Sequence, residues 1–298
     1  MKVNCSMSKI IVFSLLSWGV TFSSVADTLS NIKESQTITI ANREASLPFS
    51  YLSENKKPIG YSIDICLKIV DALKKELKLP QLKVNYLLVT GSTRIPSIVE
   101  GKADLECGST TNNTERRKQV AFSIPHFFAT SRMLVRADSG ITNWTDLKDK
   151  MVVTTKGTTS VKLLNDRDKV RSLGLKLLEA NDHNNSFAML ESGQVAAFPM
   201  DDVLLYGLRA NAKDPSMFVI VGDGLSTEPY GIMLRKDDPA FKAFVDRQIS
   251  NLMSDGEITK LYSKWFQQPV PPKSINLNMP MGLLLRDTIR FPSDKVPD

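Results

Sequence analysis

Hydrophobic side chains recur along this chain in two spacings, every second residue over short stretches and at helical spacing over longer ones. Short strands that alternate with amphipathic helices are typical of α/β layers built on largely parallel sheets. The first series predicts strands at 37–41, 82–88 and 105–107, a helix capped by Ser62, and a helix from Ser92 or Thr93 to Gly101. These βαβ units predict one lobe.

A second series of the same kind predicts a second lobe. Its strands are predicted at 151–155, 175–179 and 196–200, and its helices after Gly157, at 185–192 and from Asp201. Further helices are predicted at 239–254 and 257–266, before an irregular tail from Pro269 that wraps over a lobe.

Two extended stretches, 130–136 and 230–235, lie between the two series and after the second. They predict a double hinge, with crossings near residues 128–131 and 228–231. We therefore assign residues 27–129 and 231–298 to lobe 1 and residues 130–230 to lobe 2.

The first 26 residues have the layout of a secretory signal peptide. Lys2 and Lys9 precede the apolar stretch 10–20, and small residues at 24–26 form a predicted cleavage site before Asp27. A membrane anchor is the alternative, but the apolar core is shorter than the ~20 residues that span a bilayer. We therefore expect an exported, periplasmic chain that begins at Asp27.

Composition narrows the class of protein. The 298 residues are 42% hydrophobic and 23% charged, which excludes a disordered or collagen-like chain and suffices for two hydrophobic cores. Of the 38 Lys and Arg residues, Lys2 and Lys9 belong to the predicted signal peptide, so 36 face 32 Asp and Glu residues. This excess is too small to predict nucleic acid as a partner.

Cysteine and histidine are scarce in the predicted mature chain. We interpret Cys66 and Cys107 as buried small apolar residues; an oxidising compartment would permit one bridge, and the sequence leaves their pairing open. His126 and His183 are too few for a His/Cys zinc site. Serine-hydrolase, phosphate-loop and dinucleotide-binding motifs are also missing from the sequence, so we predict neither a metal nor a cofactor.

Two loops with hydroxyl side chains occupy corresponding places in the two series. Residues 108–111 (Gly-Ser-Thr-Thr) and 157–160 (Gly-Thr-Thr-Ser) each follow a strand and precede a helix. Hydroxyls and free backbone N–H groups at the start of a helix can hold an anion. Helix capping is the alternative for either loop alone, and the occurrence of both loops favours a ligand shared between the lobes.

Five titratable side chains are candidates for contact with such a ligand. Arg43 follows a strand, Arg94 lies in the first turn of a helix, and Arg116 lies just past the first hydroxyl loop. Ligands of open α/β sheets bind outside the carboxyl ends of the strands, so these arginines can converge on a carboxylate. A solvated helix face is the alternative for Arg116. Asp201 could receive an ammonium or cap its helix, and His183 could equally be a hydrogen-bonded surface histidine.

Seven segments carry a resemblance to a known family, in order along the predicted mature chain. They are residues 43–51 (Arg-Glu-Ala-Ser-Leu-Pro-Phe-Ser-Tyr), 60–62 (Gly-Tyr-Ser), 94–96 (Arg-Ile-Pro), 106–113 (Glu-Cys-Gly-Ser-Thr-Thr-Asn-Asn), 157–160, 201–202 (Asp-Asp) and 230–238. They resemble the periplasmic glutamate/aspartate-binding proteins of polar amino-acid ABC importers, in solute-binding protein family 3.

The resemblance implies an α/β fold of the two-lobe periplasmic binding protein type (type II), with two hinge strands and a ligand cleft between the lobes. It implies a monomeric receptor that captures L-glutamate or L-aspartate and delivers it to an inner-membrane ABC permease. Arg116, Thr158 and its loop would bind the α-carboxylate, and Ser109, Thr111 and Asp201 the α-ammonium. Arg43, Arg94 and His183 would surround the side-chain carboxylate.

Charge and size in this implied site predict its selectivity. Three arginines against Asp201 leave an excess of two positive charges, which predicts that acidic amino acids bind better than their amides. Gly91 departs from the family, which usually has a serine there, so a hydroxyl contact is lost or supplied by Ser92. The space that Gly91 leaves favours glutamate, with its extra methylene, over aspartate.

Two other classes of protein share the two-lobe architecture. A lyase-type or glycan-cleaving enzyme would use Glu106 or Asp201 as its acid or base. A sensor domain would need a membrane span after Arg235, which the sequence lacks. We therefore expect a receptor and not an enzyme.

Overall fold

The computed structural model describes Met1 and residues 27–296. The predicted signal peptide, apart from Met1, lies outside the described residues. The helices are α1 (Thr28–Ser35), α2 (Tyr61–Glu76), α3 (Arg94–Val99), α4 (Thr114–Arg117), α5 (Thr159–Arg171), α6 (His183–Glu191), α7 (Asp202–Asn211), α8 (Pro239–Ser254), α9 (Glu257–Phe266) and α10 (Leu283–Arg290). Over the described part of the chain, none of these combines the length and the hydropathy that a membrane crossing requires.

Short strands connect these helices. They are β1 (Thr37–Asn42), β2 (Ala45–Ser46), β3 (Ser50–Leu52), β4 (Pro58–Ile59), β5 (Lys83–Leu88), β6 (Leu105–Glu106), β7 (Val120–Phe122), β8 (Phe127–Ala129), β9 (Ser131–Arg136), β10 (Met151–Thr155), β11 (Lys176–Ala180), β12 (Ala197–Asp201), β13 (Phe218–Val221), β14 (Glu228–Tyr230) and β15 (Met233–Arg235).

The sheet of the first lobe has the strand order β5-β1-β6-β15-β7. β1 pairs in parallel with β5 and β6, and the late strand β15 enters antiparallel between β6 and β7. Ile38 and Ile40, alternate residues of β1, are fully buried in one hydrophobic cluster with Ile69 of α2. The period-two and helical patterns of the sequence therefore meet in this core.

The sheet of the second lobe has the strand order β11-β10-β12-β9-β13. β10 pairs in parallel with β11 and β12, whereas β9 runs antiparallel to β12 and β13. Trp144, Val152 and Leu164 are buried in its separate hydrophobic cluster. The described chain thus forms an α/β protein with two lobes.

The antiparallel pair β8 and β14 joins the two lobes, with Ala129 opposite Glu228 and Phe127 opposite Tyr230. The rings of Phe127 and Tyr230 both pack edge-on against Phe49, with centroids 4.9 Å and 5.1 Å apart. Edge-to-face aromatic packing of this kind stabilises the base of the crossing against the first lobe. The limits of the lobes given above stay a prediction.

Ser62 does not cap α2. The helix begins at Tyr61, and Gly60 occupies the cap position with a φ of 139°. A Cβ atom there would lie 2.1 Å from the carbonyl oxygen of Phe49, so only glycine fits. The Ser62 hydroxyl instead donates a 2.8 Å hydrogen bond to the carbonyl of Gly108, and thereby supports the first hydroxyl loop.

Cys66 and Cys107 are buried, as predicted, but they form a disulfide bond, so the interpretation as unpaired apolar residues is wrong. Their Cα atoms are 6.4 Å apart, within the range that a disulfide spans. The pairing depends on how α2 packs over the end of β6, and the 41-residue separation along the chain gives no sign of it.

The tail is irregular only as far as Gly282, because α10 follows. Its three consecutive leucines, residues 283–285, hide the helical period. Leu285 alone among them is buried, in the cluster that also contains Phe241 and Val245 of α8. The tail therefore packs on the first lobe through Leu285 of a short helix and through Val270, while Leu277, Met279, Met281 and Ile289 lie partly buried against the same cluster.

Candidate functional site

A small cavity lies between the two lobes, where carboxyl ends of strands from both sheets meet. Ten residues line it. They are the eight that the resemblance implied, Arg43, Arg94, Ser109, Thr111, Arg116, Thr158, His183 and Asp201, together with Thr159 and Met200. The fold thus brings all eight candidates to one place.

Arg116 is buried although it belongs to the short, mostly polar helix α4. The side chain of Asn113 caps this helix by accepting a 3.0 Å hydrogen bond from the backbone N–H of Arg116. The guanidinium donates to the carbonyl of Thr111 at 2.9 Å and across the lobes to the carbonyl of Gly157 at 3.3 Å. Burial, and then the charge of Arg94, lower the pKa of Arg116 to about 9. The alternative of a solvated side chain is therefore wrong.

Arg94 and Arg43 enter the cavity from the first lobe. Arg94 Nη1 donates to the hydroxyl of Thr110 at 2.7 Å and Nη2 to the carbonyl of Gly157 at 3.3 Å. Within the described residues, Nε of Arg94 and Nη1 of Arg43 have no hydrogen-bond partner. Burial, and then the charge of Arg94, lower the pKa of Arg43 to about 10. Two buried cations thus hold donors that are still free to bind an anion.

His183 is the first residue of α6 and is buried, so the alternative of a surface histidine is wrong. Its Nδ1 lies 2.8 Å from the hydroxyl of Thr155, and its Nε2 lies 3.5 Å from Nη2 of Arg43. Burial, followed by the charges of Arg43 and Arg94, holds the pKa of His183 well below its ordinary value. Because a hydroxyl can donate or accept, the neutral ring can present Nε2 to the cavity in either role.

Asp201 ends β12 and lies at the cap position of α7, but its side chain does not cap that helix. Its Oδ2 accepts a hydrogen bond from the Tyr230 hydroxyl, and its Oδ1 has no partner among the described residues. Burial, and then the negative charge of Glu228, raise the pKa of Asp201 to about 8. The positive charge of an ammonium group beside Oδ1 would offset both effects and favour the ionised carboxylate.

The hydroxyl groups of the two loops are used differently. Ser109 Oγ is buried without a partner in the described chain, whereas the Thr111 hydroxyl donates to Glu228 at 2.7 Å. Thr158 turns its hydroxyl into its own loop, toward the carbonyl of Thr155. Thr159, which the sequence analysis did not single out, starts α5 and lines the cavity beside Thr158.

Two buried carboxyl groups near the cavity change the predicted charge balance. Glu106 accepts a 2.6 Å hydrogen bond from Thr110, and Glu228 lies on the crossing strand β14. Neither of the two lines the cavity, but their burial beside it lowers the positive charge that was predicted around the ligand. The arginines are therefore not paired directly with these carboxyl groups, and their partners are carbonyl oxygens, a hydroxyl and an imidazole.

Gly91 does not line the cavity. A Cβ atom there would lie 2.4 Å from the carbonyl oxygen of Lys156 in the other lobe, and one at Gly157 would lie 2.5 Å from Gly91. Both glycines therefore allow the two lobes to touch through their backbones. The prediction that Gly91 enlarges the pocket for glutamate is wrong, because its missing side chain faces the opposite lobe.

Comparison with known proteins extends these observations. Residues 38–268 match the model of the bacterial extracellular solute-binding proteins, family 3. The L-glutamate/L-aspartate-binding protein of Pseudomonas aeruginosa is 51% identical over 98% of this chain and 97% of its own length. The glutamate/aspartate import solute-binding protein of Escherichia coli is 44% identical over 90% and 89%.

Solved structures agree with the fold. A crystal structure of a mutant of ArgBP from T. maritima superposes with a TM-score of 0.71, at 28% sequence identity, and covers 80% of this chain and 99% of its own. The family match spans both lobes and both crossings. This chain belongs to the bacterial extracellular solute-binding proteins of family 3.

Proposed function

We propose that this protein is a receptor that binds L-glutamate or L-aspartate between its lobes and delivers it to an ABC permease of the inner membrane. One observation carries the proposal: three buried arginines surround a small cavity, and their hydrogen-bond partners are carbonyl oxygens, a hydroxyl and an imidazole rather than carboxylates. The names of the two curated relatives, one for binding and one for import of these amino acids, support the same ligand.

The α-amino-acid group would bind between Arg116 and Asp201. Arg116 and Asp201 line the same cavity, and Thr111, another lining residue, donates a hydrogen bond to Glu228. A zwitterion needs such an arrangement, a guanidinium for its carboxylate and a carboxylate for its ammonium. Thr111 and Ser109 would complete the ammonium site, and the first turn of α5 at Thr159 would add backbone donors for the carboxylate.

The side-chain carboxylate would bind at the other end, between Arg43, Arg94 and His183. Arg43 Nη1 and Arg94 Nε are donors without partners in the described residues. A carboxylate accepts from both, whereas the amide nitrogen of glutamine would place its own donors against guanidinium groups that cannot accept. The acid-over-amide preference therefore survives the revised charge balance, because it depends on local pairing.

The protein acts as a receptor and not as an enzyme. Its curated relatives are named as binding proteins, and no comparison supports the enzyme alternative. Glu106, one of the two candidate acids or bases, does not line the cavity.

Titration calorimetry with glutamate, aspartate, glutamine and asparagine, at one pH and salt concentration, tests the proposed ligand. Leaving a buried arginine against a mismatched amide should cost about 3 kcal/mol, so either acid should bind at least about a hundredfold more tightly than its amide. Arg94→Ala should narrow this ratio, and the exposed Lys118→Ala should not. Glutamine binding within tenfold of glutamate would contradict the assignment.

We also propose that the protein is exported to the periplasm and is a monomer there. A monomer that begins at Asp27 should appear in the periplasmic fraction, since residues 1–26 have the signal-peptide layout. N-terminal sequencing and light scattering of that material test both points. Retention of Met1 in a membrane fraction would contradict the proposed cleavage.

A further inference from the structure

The carboxyl group of Glu228 lies where both lobes and the crossing strand β14 meet, and its side chain is 5% exposed. Its Oε2 accepts hydrogen bonds from the hydroxyl of Thr111 in the first lobe, at 2.7 Å, and of Thr159 in the second, at 3.0 Å. Its Oε1 accepts from the Ser226 hydroxyl at 2.6 Å. Thr111 and Thr159 also line the ligand cavity, but Glu228 does not.

These contacts fix the direction of two hydroxyl hydrogen bonds. An ionised carboxylate can only accept, and a threonine hydroxyl has a single hydrogen to donate. The hydrogens of Thr111 and Thr159 therefore point at Glu228, and the lone pairs of both oxygens remain for other donors. Asp201 Oδ1, which has no partner among the described residues, is a further acceptor in the ionised form that a bound ammonium favours.

We propose that Glu228 is a specificity-determining residue, which acts through Thr111 and Thr159 to make the site require an ammonium group. The inference rests on the function proposed above. An ammonium supplies three donors and no acceptor, so it fits a site whose hydroxyl oxygens are held as acceptors. A dicarboxylate of the same length without the amine, such as glutarate or 2-oxoglutarate, supplies none and would leave these oxygens buried and unmatched. Sites built to hydrogen-bond a ligand group reject analogues that lack it far more strongly than a pocket of fitting shape does.

Glu228→Gln tests this role, because the amide can donate to Thr111 and so release its hydroxyl hydrogen toward the cavity. Calorimetry should compare glutamate with glutarate and 2-oxoglutarate in the wild type and the variant. We expect the variant to bind glutamate at least about tenfold more weakly, the factor for loss of one hydrogen bond to a charged group. Its affinity for the two dicarboxylates should stay unchanged or rise, so the preference for the amine should fall by more than tenfold.

Two further variants separate hydroxyl orientation from charge. Thr111→Val keeps the charge of Glu228 but removes one of the oriented oxygens, and it should also lose at least about tenfold of the preference for glutamate over glutarate. Ser226→Ala removes a hydrogen bond to the other carboxylate oxygen and should leave that preference unchanged. If Glu228→Gln does not fold, Thr111→Val alone still tests the proposed role of hydroxyl orientation.

Three outcomes would overturn the inference. An equal loss of affinity for glutamate and glutarate in Glu228→Gln would mean that Glu228 merely supports closure of the lobes. An unchanged preference in Thr111→Val would exclude hydroxyl orientation as the cause. Failure of the wild type to bind glutamate or aspartate would overturn the proposed function itself, and this role with it.

Discussion

Ligand binding should release a proton from Asp201, and this is the sharpest consequence of the site's electrostatics. Burial and the charge of Glu228 raise the pKa of Asp201 to about 8, so at pH 7 the protonated form of this carboxyl predominates. An α-ammonium beside Oδ1 stabilises the ionised form and lowers the pKa again. The ligand therefore binds the minor, ionised form of the site and displaces the proton.

The size of the effect on affinity follows from the difference between the pKa of Asp201 and the pH. Each pH unit below 8 should weaken glutamate binding about tenfold, or by about 1.4 kcal/mol, until the pKa of the liganded site is reached. The two histidines of the chain do not titrate between pH 6 and 8, so they do not contribute to this pH dependence. Burial lowers the pKa of His126 to about 3, and His183 also stays neutral, while the ligand's own carboxylates titrate near pH ~4.

Calorimetry at pH 6, 7 and 8, in two buffers with different heats of ionisation, measures both affinity and proton release. We expect net release of protons on binding at pH 7 and an affinity that rises with pH. Asp201→Asn should bind weakly and with no pH dependence over this range, because it removes the titrating group. Constant wild-type affinity from pH 6 to 8, with no buffer-dependent heat, would refute the reasoning.

Three further predictions follow from buried contacts. Arg116→Ala should weaken binding of every amino acid by two to four decades, since an unpaired buried carboxylate costs ~3 to 5 kcal/mol; calorimetry with Lys118→Ala as the control measures this, and a loss below about tenfold would contradict it. Gly91→Ala should weaken binding of glutamate and of aspartate equally, because its Cβ meets the backbone of Lys156 in the opposite lobe. Small-angle scattering should show less compaction on ligand addition than we expect for the wild type, and equal compaction would contradict this. Replacing both Cys66 and Cys107 by alanine should lower the free energy of unfolding by about 4 kcal/mol, the chain-entropy value for their 41-residue separation; denaturant titration measures it, and a change below about 1 kcal/mol would contradict it.

Local patterns in the sequence predicted most of the elements that form the lobes. The strand predicted at 151–155 and the helices predicted at 239–254 and 257–266 coincide with β10, α8 and α9. Errors of one or two residues occur at ends that depend on caps. The helix predicted from Asn185 begins at His183, because Asp182 accepts the backbone N–H of Asn185 and so caps the helix two residues earlier.

The position of the candidate site was also predictable, because the carboxyl ends of strands meet at one edge of an α/β sheet. Arg43, Arg94 and Asp201 each stand at such an end, and the resemblance to a known family related them to one ligand. Thr159 was missed because it follows Thr158 directly, and sequence alone does not show which hydroxyl turns toward the cavity.

Features that depend on contact between distant segments could not be predicted. The Cys66–Cys107 bond needs the packing of α2 on the first sheet, and the function of Gly91 needs the opposite lobe in place. Glu228 was named only as the limit of a crossing, because its partners Thr111 and Thr159 lie far from it along the chain. Patterns in a single sequence describe individual helices and strands, whereas the disulfide bond, the Gly91 contact and the Glu228 contacts each depend on two elements packing together.

Contacts between the lobes form much of the polar surroundings of the cavity. Arg94 and Arg116 from the first lobe both donate to the carbonyl of Gly157 in the second, and Glu228 joins the hydroxyls of both lobes. The interface between the lobes also buries donors and acceptors that have no partner in the described chain, including Arg43 Nη1 and Asp201 Oδ1, and each such group costs about 1 to 3 kcal/mol. A ligand with two carboxylates and an ammonium removes these costs only when the lobes are closed. We therefore expect the free energy of ligand binding to be coupled to lobe closure. An amino acid that leaves either end of the cavity unmatched would also leave the closed state unfavourable.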